Sequence, residues 1–137
     1  QENLVKNIDQ GLALRAQDIG RAERLRTALW HRVRAFLERY DLIVTPTTAV
    51  LPFPVEVKFP MTIDGQPMSS YIQWLLPTYA FTVIGVPAIS VPCGFSRDGL
   101  PVGLQIVGRW RDEATVLRAA AAFEEAAPWA HLRPPGL

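Results

Sequence analysis

Two lysines, two histidines, one cysteine and four serines are all that this 137-residue sequence holds of the side chains that most often carry out covalent chemistry. The lone cysteine, Cys93, has no internal disulfide partner. A disulfide-stapled secreted scaffold is thereby excluded, and a reducing, cytoplasmic compartment is the expectation. Long apolar runs are missing as well, because Pro77, Gly85 and Pro87 interrupt the most hydrophobic stretch, so no membrane span is expected. An excess of one charge is also absent, with 14 basic against 13 acidic residues and a net charge of +1. The arginines alternate with glutamates and apolar residues, which leaves no concentrated basic face for nucleic acid. Isolated His31 and His131 with one cysteine do not make the clustered ligand set of a zinc site, so neither metal nor cofactor is expected.

Apolar side chains are present in quantity: 49% of the residues are hydrophobic and 20% charged, a globular composition able to build a core. No internal repeat and no second domain is visible, so residues 1–137 read as a single segment. The chain opens Gln1-Glu2-Asn3, with neither an initiator methionine nor a signal peptide, and this reads as the middle of a longer protein.

Hydrophobic spacing predicts a short helix over residues 2–10, with Leu4, Val5 and Ile8 on one face and Gly11 ending it. A long helix follows from Asp18 to Arg39, its apolar stripe running Ala22, Leu25, Leu29, Val33, Phe36 and Tyr40. Leu42 to Thr45 is apolar and β-branched without alternation, as in a strand covered on both faces. The prolines at 52, 54 and 60 make residues 49–60 a loop or an edge. Asp64-Gly65 has the composition of a tight hairpin turn. Residues 69–85 read as helical, with Pro77 either starting a new helix or kinking one. Strands are predicted at Ala88–Val91, also covered on both faces, and at Val102–Val107, with a turn at residues 96–99 between them. Asp112 caps a closing helix with the stripe Val116, Leu117, Ala120 and Phe123, which Pro128 stops. Strands separated by long helices imply an α/β layer structure with some antiparallel pairing.

A hydrolase needs a nucleophile, a proton acceptor and donors for the developing oxyanion. None of Ser69, Ser70, Ser90 and Ser96 lies in a Gly-x-Ser-x-Gly elbow or a glycine-serine-rich loop. Ser69-Ser70 precedes a helix and suits capping, while Ser90 sits within a strand, where a satisfied, buried hydroxyl is expected. Lys6 and Lys58 have polar or loop neighbours and nothing local to desolvate them as a base. Cys93 follows Pro92 with no histidine nearby, and a small packed thiol is expected there. One constellation suggests binding: Tyr71, Trp74, Thr78 and Phe81 are spaced three, four and three apart, so a continuous helix aligns them. That arrangement is either an aromatic wall of a small-molecule pocket or an ordinary core stripe.

Residues 85–95, Gly-Val-Pro-Ala-Ile-Ser-Val-Pro-Cys-Gly-Phe, and residues 98–108, Asp-Gly-Leu-Pro-Val-Gly-Leu-Gln-Ile-Val-Gly, closely resemble the C-terminal region of amidase-signature enzymes. Asp112-Glu113-Ala114 and, upstream, residues 41–47, Asp-Leu-Ile-Val-Thr-Pro-Thr, continue the likeness. The resemblance implies an amide carbon–nitrogen hydrolase built on a large mixed β-sheet flanked by helices, of which this chain is an incomplete part. In that family a lysine and a bridging serine activate a nucleophilic serine, in a glycine-serine-rich region upstream of anything here. No catalytic residue therefore falls on this chain. The resemblance also implies that residues 71–85 line the cavity, with Thr78 and Phe81 the stronger substrate contacts and Trp74 and Tyr71 the weaker.

Two departures bear on substrate. Thr82 stands where many members have asparagine, and Trp74, Leu75 and Leu76 stand where the tRNA-dependent amidotransferases carry an acid. A neutral, apolar or aromatic amide is favoured by that absence. The other readings are the A subunit of a glutamine-using, tRNA-dependent amidotransferase, or a non-catalytic binding scaffold. The implied partner is the remainder of the amidase domain, with self-association into a homo-oligomer the other way to cover apolar surface. The 137 residues alone are expected to bind an apolar dye or self-associate in solution; a sharp two-state melt of a dye-free monomer counts against this.

Overall fold

A computed structural model describes residues 2–129 and 131. Helix α1 spans Glu2–Leu12 and α2 spans Ala16–Arg39. Gly11 does not end α1; it lies inside the last turn, where Ala13 still donates to Asp9 O at 3.2 Å. A glycine within a helix costs about 1 kcal/mol, too little to stop it alone. The start of α2 falls two residues before the expected Asp18, because Asp18 is the third residue of the helix. Its carboxylate reaches back to accept from Arg15 N–H at 3.0 Å, the reciprocal half of a capping box.

The buried edge of α2 is Leu29, Trp30, Val33 and Leu37, with Leu37 only 2% exposed. Leu25, Phe36 and Tyr40, expected in the inner stripe, lie at the surface. Rows of residues four apart stay in line along a helix, and Leu29 and Val33 of the 29–33–37 row face Phe81 and Ile84 of α3.

Strand β1 is Ile43–Pro46. After the proline-rich loop a small hairpin pairs β2 (Thr62–Ile63) with β3 (Gln66–Pro67) through Asp64 and Gly65, both with positive φ, as a type I′ turn requires. A 3-10 turn, Gln73–Leu75, leads into α3, Leu76–Ile84. Pro77 thus begins a new helix, where its missing N–H costs nothing. Strands β4 (Ala88–Phe95) and β5 (Pro101–Val107) precede α4 (Glu113–Ala126), whose N-cap Asp112 accepts from the Thr115 hydroxyl at 2.8 Å.

The main sheet has the order β1-β5-β4, with β5 antiparallel to both neighbours. Directly opposed residues share a face. Val44, Ile106 and Ile89 therefore lie on one side, and Thr45, Gln105 and Ser90 on the other. The first side meets α4 through a core of Val91, Ile106 and Ala120, with Leu104, Ile89 and Phe123 packed around it. The second side is covered by α3 and α2. The result is an α/β/α layering with β5 at its centre.

Cover on both faces was expected of Leu42–Thr45 and Ala88–Val91, part of it from the rest of the domain; among the described residues β5 alone has it, with Gln105, Ile106 and Val107 buried in succession. The other two are edge strands, with Val44 55% exposed and Ala88 and Ser90 open. In α4, Val116 and Ala120 are buried as expected but Leu117 is 59% exposed.

Arg109, just beyond β5, ties the end of α2 to the sheet. Its Nε donates to Leu37 O at 2.7 Å and its Nη2 to Asp41 Oδ1 at 2.8 Å. A helix terminus leaves its last carbonyls without partners, and a cation there satisfies them and matches the dipole. Arg109→Ala is expected to lower stability by about 1–2 kcal/mol, read as a shift of the urea midpoint, with Arg109→Lys recovering less than half.

Candidate functional site

At the end of the sheet where β1 finishes and β5 begins lies a cavity of about 550 Å³. Its walls are Pro46 and residues 48–53 from the proline-rich loop, Trp74 and Pro77 from the 3-10 turn and α3, and residues 101–103 of β5. No charged side chain lines it. Phe53 and Trp74 meet edge to face, with centroids 5.4 Å apart, a geometry that fixes two aromatic rings against each other. Chemically this is an apolar, aromatic recess with a few backbone and hydroxyl groups at its margin.

A polar seam runs behind the recess. The Thr78 hydroxyl donates to Thr47 O at 2.7 Å, and Thr47 N donates to Gly103 O at 3.0 Å. The hydroxyls of Thr47 and Ser90 are 2.6 Å apart and share one proton donor between them. The buried amide of Gln105 donates to Thr45 Oγ1 at 3.1 Å and to Pro77 O at 2.9 Å. Gly103 lacks a side chain for a visible reason: a Cβ there meets Thr47 Oγ1 at 2.8 Å and Ser90 Oγ at 3.0 Å.

The structure does not gather the four residues aligned by sequence spacing onto one face, because the chain passes from a turn through a 3-10 segment into α3 at Pro77. Trp74 lines the recess. Thr78 stands directly behind it, its hydroxyl engaged with the Thr47 carbonyl. Phe81 lines a separate groove between α3 and α2, beside Leu29, Val33 and Ile84. The Tyr71 hydroxyl accepts from Asn7 Nδ2 at 3.3 Å. Thr82 donates weakly to Thr78 O at 3.5 Å.

Sequence reasoning missed Thr45, Thr47, Gly103 and Gln105. The signal for one of them was available: Gln105 is the sole polar side chain in the run Val102–Val107, and a buried amide must find partners.

The reactive side chains are dispersed. Ser69 is held by Gln73, its hydroxyl donating to Oε1 at 2.9 Å. Ser96 receives Leu100 N at 3.1 Å within the β4–β5 turn. Ser90, expected buried, is exposed on β4, which has no outer neighbour among the described residues, although its hydroxyl is paired. Cys93, expected as a packed thiol, is also exposed, beside the bulge between Pro92 and Gly94. Lys6, Lys58, His31 and His131 are exposed. Among the described residues no three metal-ligating side chains converge, and no helix is long and apolar enough to cross a membrane.

Comparison with known proteins places these elements. The family model described as Amidase matches residues 4–117. The chain belongs to the amidase-signature family. An acylamidase of Rhodococcus erythropolis is 39% identical over 132 residues, 96% of this chain and 28% of that protein. The A subunit of the glutamyl-tRNA(Gln) amidotransferase of Oceanobacillus iheyensis is 42% identical over 114 residues, 83% of this chain and 22% of that protein. The crystal structure of a bacterial aryl acylamidase of the amidase-signature family superposes with a TM-score of 0.88 at 33% identity, covering 98% of this chain and 29% of that one. The chain thus spans under a third of the length of these relatives, and its α/β layers are one part of the amidase-signature fold. Within that part, Gly103→Ala is expected to push Thr47 and Ser90 apart and cost about 1–3 kcal/mol, measured as a lowered melting midpoint; an unchanged midpoint removes the steric argument.

Proposed function

We propose that these residues are the C-terminal part of an amidase that hydrolyses carbon–nitrogen amide bonds, and that they supply core strands and one wall of the substrate cavity. The Ser-Ser-Lys residues that perform the chemistry lie, on this reading, in the part of the enzyme outside residues 1–137. The observation that carries it is the uncharged aromatic recess formed by Phe53, Trp74 and Pro77 at the end of β5, in a chain of this family whose described residues bring no nucleophile and base together. An apolar recess holds a neutral, apolar or aromatic amide by burial of its surface. Of the four residues singled out by spacing, Trp74 contacts the substrate directly and Thr78 holds the loop that carries Thr47. Phe81 and Tyr71 have less support, since they face other parts of the surface. The single cysteine supports a cytoplasmic setting.

The rest of the amidase domain is the partner. The accessible surface is 10474 Å², roughly half as much again as the about 7,100 Å² that a folded monomer of this mass exposes. Large apolar side chains make up part of it, including Leu12 at 81% and Val55 at 93% exposed. Contact with the remaining domain, or with a second copy, removes that surface from water.

A second reading, a glutamine-using amidotransferase, is favoured by the 42% identity to the A subunit of the glutamyl-tRNA(Gln) amidotransferase. It is opposed by the recess itself, which offers no carboxylate to the ammonium group of glutamine.

The full-length protein is expected to release ammonia or amine from simple aryl and acyl amides with saturable kinetics, and not from glutamine. Trp74→Ala raises KM for an aryl amide about tenfold, the consequence of losing a large buried contact, and leaves kcat within a few-fold. Saturable turnover by residues 1–137 alone, or turnover of glutamine only, overturns the proposal.

A further inference from the structure

Among the described residues Gln105 is the one buried polar side chain, at 3% exposure, and it lies within the central strand. A polar group in that position is destabilising unless every donor finds an acceptor. Both Nε2 hydrogens do. One goes across the sheet to Thr45 Oγ1, the other off the sheet to the carbonyl of Pro77. Pro77 O can only accept, so the amide nitrogen, not the oxygen, must face it.

Pro77 is both the partner of that bond and part of the recess wall, three residues after Trp74. The 3-10 turn that carries Trp74 has its cap at Leu76, the residue before Pro77. A shift of Pro77 away from β5 therefore moves Trp74. Opposite, Thr78 holds Thr47 and so the start of the loop that forms the other wall. The two walls of the recess are registered to each other through adjacent residues, Pro77 and Thr78, with Gln105 as the anchor on the sheet. Nothing else among the described side-chain hydrogen bonds joins Pro77 to β5.

We propose that Gln105 is a positioning residue for substrate selectivity: by holding Pro77 against the sheet it sets the width of the aromatic recess without touching the substrate. The inference rests on the amidase reading, and it goes further in naming the group that tunes which amides fit. A short amide does not fill the recess and is insensitive to its width. An aryl amide packs against Trp74 and feels each displacement of that wall, since productive binding depends on sub-ångström placement.

The test uses the full-length protein with Gln105→Met, which keeps length and removes both donors, and Gln105→Glu, which sets a carboxylate against Pro77 O. Thr45→Val removes one of the two bonds and serves if the Gln105 variants do not fold; Thr45→Ser restores the acceptor. The expected result for the Gln105 variants is a rise of about tenfold in KM for an aryl amide, the scale of the single lost bond that tethers Pro77, with KM for acetamide and kcat for both within about twofold. Thr45→Val shows a smaller rise that Thr45→Ser reverses. Hydrogen exchange of the α3 amides accelerates in Gln105→Met while that of α4 stays at the wild-type rate. If wild-type protein hydrolyses both amides and the variants leave the aryl KM unmoved, or raise both KM values alike, the inference is wrong and the amidase reading stands. If wild-type protein hydrolyses neither, the amidase reading fails by itself. Exchange then decides: wild-type rates in α3 of Gln105→Met overturn the tether, and faster exchange confined to α3 upholds it.

Discussion

Strand β5 is hydrogen-bonded along both sides and covered on both faces, and the remaining elements take their places from it. Its pairing with β1 and β4 fixes which residues share a face. The apolar side, through Leu104 and Ile106, receives α4. The other side carries Gln105 and Val107, and α3 and α2 close over it. Because side chains alternate strictly along a strand, a slip of one residue in the β5 register sends Gln105 into the α4 core and Ile106 toward the recess. The buried amide, with partners on one side only, excludes that alternative as firmly as the apolar contacts select the correct one.

On the proposed reading, this arrangement is how the segment shapes a substrate cavity whose reacting groups lie elsewhere in the enzyme. Cavity walls made of a proline-rich loop and a short 3-10 turn have little regular hydrogen bonding of their own. They are held from behind by hydroxyls and an amide rooted in the sheet. The aromatic pair Phe53 and Trp74 joins the two walls at the front. Rigidity is thus borrowed from the strand and delivered to irregular backbone, which is the usual relation between a scaffold and the loops that contact ligand.

Local chemistry made much of the fold legible in the sequence. Asp64-Gly65, Pro77, Asp112 and the spacing of α2 each act within a few residues, and each produced the element its composition implied. What composition left open was pairing order. Leu42–Thr45 and Ala88–Val91 have the composition of covered strands, and among the described elements they stand at the margins of the sheet, where the expected cover has to come from the rest of the domain. Ser90 and Cys93, both on β4, are exposed in these residues taken alone. The aromatic alignment of Tyr71, Trp74, Thr78 and Phe81 presupposed one continuous helix, and the proline that begins α3 divides it. The polar seam joins positions as far apart as Thr45 and Gln105, separated by 60 residues. No window of local sequence contains both. The family likeness was legible because it resides in ordered motifs, and it reached the family and the fold class without reaching the geometry of the recess.

The three-stranded sheet ends on both margins in a strand whose outer backbone groups have no partner among the described residues. Such margins are templates for any extended peptide that arrives. Each carries a proline, Pro46 on one and Pro92 on the other, and a ring without an N–H interrupts a continuous ladder of added strands. Were this segment cut free by a protease or made by truncated synthesis, the prolines would act as gatekeepers against amyloid-like stacking while leaving short stretches open to a legitimate mate.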